Sequence, residues 1–83
     1  MADWRWDWDP SKEWVTKGIP DAVIAEVEKI AAELAVVNSM IYLDGAEYTG
    51  PSPGVRIEWR PNVAVRYLTV VRDECVYVVD IIA

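Results

Sequence analysis

The sequence predicts an α+β domain in which an N-terminal strand and a two-helix hairpin precede an antiparallel sheet of three or more strands. Three observations lead there. Tryptophans alternate with charged residues at the start, one apolar stripe at helical spacing runs from Val23 to Val37, and β-branched runs fill residues 55–82.

The first strand is Trp4, Trp6 and Trp8 set between Asp3, Arg5, Asp7 and Asp9. Period-two alternation marks a half-buried strand. Such a stripe can stack on bases or sugars, but in a chain with five Trp and no Phe it is expected to supply core volume. Pro10 ends it. Ser11 is placed to cap a short helix from Lys12 to about Lys17, stopped by Gly18 and anchored by Trp14 and Val15. Pro20 and Asp21 open a second helix, where proline is tolerated and an acid suits the positive end of the dipole. Val23, Val27, Ile30, Leu34 and Val37 follow at steps of four and three, with an end expected at Asn38-Ser39. This stripe is expected to pack on the domain's own sheet rather than on a partner helix.

Met40 to Leu43 reads as a brief strand or an anchored loop, and the Gly- and Pro-containing stretch from Gly45 to Gly54 as the most mobile loop. Val55, Ile57 and Trp59 then alternate with Arg56, Glu58 and Arg60. Pro61-Asn62 is a turn signal. In the next strand Ala64, Arg66, Leu68 and Val70 share one face and Val65, Tyr67 and Thr69 the other. Arg72-Asp73-Glu74 is a polar turn, and Cys75 to Ile82 is apolar on both faces except at Asp80. Strands on short turns pair antiparallel, and the helices must cover one face of the sheet.

Eighty-three residues make one domain, 1–83, and a chain of this size buries roughly 60–65 % of its unfolded surface. No run reaches the roughly 20 apolar residues of a membrane helix. No apolar leader follows Met1, so a cytoplasmic protein is expected. The net charge is −6. Eight acids against four bases fall in residues 1–33, and residues 55–83 carry four of each. An acidic chain repels phosphate backbones at long range, leaving nucleic acid only a local Arg cluster.

His is absent and Cys75 is the only cysteine, which excludes Ser/His/Asp and Cys/His nucleophilic sites and a Cys-based zinc site. Cys75, in an apolar strand, is expected to be a buried, inert thiol. Asp7 and Asp9 share a strand face and read as a solvated acidic face rather than a metal site; no metal and no cofactor are expected. The cluster with chemical potential is Arg56, Arg60, Arg66 and Arg72. Arg56 and Arg60 point to one face of their strand. Arg66 either faces the helices as a paired buried charge or joins them at an anion site, with Glu58 and Asp80 as available carboxylates. Arg56, Arg60 and Arg66 are the candidate binding residues.

The order of elements resembles the RelE/ParE toxin superfamily of bacterial toxin–antitoxin modules. Trp4 to Pro10 looks like the family's first strand. Trp14, Ile19-Pro20 and the Val23/Val27/Ile30/Leu34 stripe look like its helical hairpin. Val55 to Ile82 is similar to its closing run of strands, with Arg66 where the family has an Arg-x-x-Tyr strand and Arg60 where its ribosome-dependent nucleases carry another Arg. The resemblance implies a toxin-like protein with an antitoxin or other protein as partner. As an mRNA interferase it would use Arg60 and Arg66 as catalytic groups. Thr69 stands where that motif has Tyr, the chain is acidic where such toxins are basic, and the sequence stops at Ala83 without the family's basic catalytic segment. Protein binding is therefore expected rather than RNA cleavage. The alternative is a structural or adaptor protein that shares only the architecture.

Overall fold

The computed structural model describes residues 4–83. Strand β1 (Arg5–Trp8) leads through a single turn of helix, α1 (Lys12–Val15), into the long helix α2 (Asp21–Ile41). Three strands follow, β2 (Val55–Trp59), β3 (Ala64–Val70) and β4 (Cys75–Ile82). The fold is α+β, as expected, with α2 packed on one face of a four-stranded sheet of order β1-β4-β3-β2. The meander β2-β3-β4 is antiparallel, but β1 runs parallel to β4, with Arg5 opposite Cys75 and Trp8 opposite Val78. The sheet is thus mixed, and the anticipated hairpin is one turn plus one long helix. Asp3, the first charged residue of the expected alternation, lies outside the described residues.

The core joins Val15, Val27, Ile30, Ala31 and Leu34 to Val63, Val65, Tyr67, Val76, Val78 and Ile81, with Trp4, Trp6 and Trp8 packed against it. The Trp stripe therefore faces inward. Ser11 caps α1 as expected, its Oγ accepting from Trp14 N at 3.2 Å. Val15 is buried, whereas Trp14 is 70 % exposed and is no anchor.

Helix α2 departs from expectation at its far end. Its buried side runs Val27, Ile30/Ala31, Leu34/Ala35 and then Asn38, while Val37 turns to solvent. Nor does Asn38-Ser39 end it. Asn38 Nδ2 donates to Leu34 O and Ser39 Oγ to Val36 O. Both polar side chains are satisfied within the helix and do not compete with it. It continues through Met40 and Ile41, and Tyr42 N closes the last turn on Asn38 O.

The loop expected to be mobile carries a turn of 3-10 helix, Gly45–Glu47. Tyr48 braces it by donating to Pro51 O and meeting the Tyr42 ring edge-on.

Strand β4 changes phase along its length. Tyr67 pairs with Val78, but Arg66 pairs with Asp80, so Val79 is an extra, bulged residue. Val76 and Val78 point into the core before the bulge and Ile81 after it. The bulge turns Asp80 out toward Arg66, and Asp80 Oδ1 accepts from Ile81 N.

Candidate functional site

The covered and open faces of the sheet treat the arginines differently. On the covered face, β3 presents Val65, Tyr67 and Thr69, and β2 presents Arg56 and Glu58. β2 is an edge strand lying toward the flank of α2, so its charged side meets the helix's polar residues rather than the apolar stripe. Arg56 Nη2 donates to Asn38 Oδ1 at 3.0 Å and to Thr69 Oγ1 at 2.8 Å. The Thr69 hydroxyl in turn donates to Asn38 Oδ1 at 3.3 Å. The guanidinium lies 5.2 Å from the Tyr67 ring centroid, a cation–π contact of about 0.5–2 kcal/mol. Burial pushes the Tyr67 hydroxyl pKa up, and nearby Arg56 opposes that shift. Among the described residues Arg56 forms no salt bridge, and its Nε is buried without an acceptor.

Arg60 sits on the same side but is fully engaged. Its Nη2 reaches Glu33 of α2 at 2.9 Å and its Nε reaches Glu58 at 3.0 Å. Both carboxylates hold its charge, with Glu33 the larger influence on its raised pKa. Beside it, Ala22, Val23, Glu26, Pro61, Asn62 and Val63 line an open cleft of about 430 Å³.

Arg66 projects from the open face and pairs with Asp80 at 3.8 Å. The expected cluster is therefore not a cluster. Arg56 and Arg60 share the helix side, Arg66 lies across the sheet from them, and Arg72 is exposed at the β3–β4 turn. Glu58 and Asp80 do serve as ion-pair partners, of Arg60 and Arg66 respectively.

The open face is otherwise largely apolar. Val55, Ile57, Trp59 and Ile82 are 55 %, 38 %, 70 % and 38 % exposed. Leu68, Val70 and Val79 lie among them half-buried. Exposed apolar patches of this kind on a polar-rimmed surface mark contact sites. A second strip, Val36, Val37, Met40, Ile41 and Leu43, is exposed around the end of α2.

At the β1 side of the open face, Arg5 Nη1 lies 3.0 Å from Cys75 Sγ. Cys75 is wholly buried, and burial pushes its thiol pKa up, which keeps it protonated and unreactive. Among the described residues no three Asp, Glu or Cys side chains come together as metal ligands, and no helix is long and apolar enough to cross a membrane.

Asn38 and Thr69, the two acceptors of the Arg56 guanidinium, were not singled out as a site by sequence. The available signal was Asn38 falling four residues after Leu34, on the buried side of the helix. No protein-family model, curated protein or solved structure matches this chain.

Proposed function

We propose that this chain is a toxin-like protein-binding domain of the RelE/ParE kind, acting through contact by the open face of its sheet rather than through RNA cleavage. The observation that carries the reading is the exposed apolar surface of Val55, Ile57, Trp59 and Ile82, with the half-buried Leu68 among them, around the Arg66–Asp80 pair. Apolar area of this sort gains most when a partner removes it from water, at about 25 cal/mol per Å². The central ion pair supplies orientation. The order of strand, helices and antiparallel meander is compatible with the resemblance. The placement of Arg60 and Arg66 on opposite sides of the sheet favours binding over cleavage, since the two cannot close on one phosphate.

Inducing the intact protein in a bacterial host tests this. Growth arrest is expected, relieved by Leu68→Glu and by Arg66→Ala, with circular dichroism showing both variants folded. Normal growth at full soluble expression would overturn the toxin reading. Arrest unchanged by both folded variants would overturn the open face as its surface.

A further inference from the structure

Strand β2 pairs with β3 on one side and with nothing on the other among the described residues. The turn bond from Arg60 N to Val63 O fixes which of its backbone groups are spent. Bonded and non-bonded pairs alternate along an antiparallel ladder. Glu58 with Val65 and Arg56 with Tyr67 therefore continue the bonded set, in the observed register. The N–H and C=O groups of Val55, Ile57 and Trp59 point outward along the free edge. Native edges are usually guarded by Lys, a bulge, a proline within the strand or charges pointing inward; of these Val55–Trp59 carries only the inward Arg56 and Glu58, whose opposite signs attract across a two-fold axis.

We propose that β2 pairs antiparallel with β2 of a second copy of this chain, about a two-fold axis through Ile57. The sequence of the strand favours itself as partner. In that register Ile57 faces its own copy, Val55 faces Trp59, and Arg56 faces Glu58. Each apolar residue meets an apolar one and each cation an anion. Slipping the register by two residues either way sets Arg56 against Arg56 or Glu58 against Glu58. Of these three alignments only the one through Ile57 combines the outward-facing backbone groups with opposite charges. Arg56 supplies the second, independent observation. It forms no salt bridge among the described residues, so its charge has no carboxylate partner within the chain. The Glu58 of a second copy arrives across from it, and Glu58 uses only its Oε2 on Arg60. Pairing also lays the two open faces side by side as one surface. This goes beyond the contact function proposed above, since the edge takes a second copy whether or not the face takes another protein.

Sedimentation velocity of the intact chain from micromolar to millimolar concentration is the test. A species of twice the 9.4 kDa chain mass is expected. Ile57→Pro removes an outward N–H that β3 does not use, so the fold is retained and the dimer lost. Glu58→Lys sets like charges opposite at two symmetry-related places and weakens association by about tenfold. Should Ile57→Pro fail to fold, Ile57→Cys decides. Bonded antiparallel pairs sit about 5.5 Å apart at Cα, within disulfide reach. Oxidation then links Ile57→Cys chains to each other, and Trp59→Cys chains far less. A monomer at every concentration, or a dimer that Ile57→Cys cannot trap, overturns the proposal. Neither result bears on growth arrest, and normal growth leaves the dimer untouched.

Discussion

Replacing Asn38 by Leu probes the polar contact that ties the edge strand to the helix. Asn38 is 2 % exposed, and its Oδ1 accepts from both the Arg56 guanidinium and the Thr69 hydroxyl. A hydrogen bond to a charged group contributes about 1.5–3 kcal/mol. The Nδ2 bond to Leu34 O adds roughly 0.5–1 kcal/mol, since that carbonyl already has its helical partner. Burying a leucine of similar size returns about 1 kcal/mol. The net expectation is a loss of about 2 kcal/mol, or a melting temperature lower by roughly 8–16 °C for a domain of this size. The same substitution in an Arg56→Met background should cost under about 0.5 kcal/mol, because no guanidinium then needs the acceptor. Urea unfolding of the two single variants, the double variant and the parent gives the coupling energy. Additivity of the two single losses within about 0.5 kcal/mol would refute a direct Arg56–Asn38 interaction. An Asn38→Leu protein as stable as the parent would refute the whole account of the contact.

Three further outcomes follow from the packing. Ile30→Ala, at a fully buried helix position, should cost about 2–5 kcal/mol in chemical denaturation, whereas Trp14→Ala should lie within about 0.5 kcal/mol of the parent. Glu74 adopts φ 52°, a left-handed conformation that glycine accepts without strain; Glu74→Gly should gain about 1 kcal/mol by calorimetry. Burial raises the pKa of Cys75 from 9.0 and of Tyr67 from 10.0. The unfolded chain then gives up these protons first, so their contribution is complete below about pH 9 and is lost as pH rises through the folded values. Stability measured between pH 7 and 11 should fall on the alkaline side, less steeply in Cys75→Val, and Cys75 should resist thiol reagents at neutral pH until the chain unfolds.

The stripe of Val27, Ile30 and Leu34 was legible because helical period and burial coincide there, and the alternation of Trp4, Trp6 and Trp8 for the same reason in a strand. The two part at Val37. Helical geometry carries the buried side to Asn38, and only the three-dimensional position of Arg56 makes a polar residue suitable there. The continuation through Met40 and Ile41 was hidden because Asn and Ser usually compete with a helix, and here both bond inside it. The parallel pairing of β1 with β4 rests on contacts between residues about seventy positions apart, which no local pattern reports. The arginine candidates fared unevenly for a similar reason. Spacing of four within β2 put Arg56 and Arg60 on one side, but the side taken by Arg66 depends on the register of the neighbouring strand.

The bulge at Val79 gives β4 one residue more than its pairing with β3 uses. Upstream of it the core takes even-numbered residues, Val76 and Val78, and downstream an odd one, Ile81. Removing this single valine would bring the two halves into step without turning either over, with Asp80 still opposite Arg66 and Ile81 still opposite Val65, at the loss of the local bend the extra residue gives the strand. An alanine at the same position would keep the extra residue and the bend with it. A deletion scan along β4 should therefore find its best-tolerated position at Val79, where no pairing partner is lost.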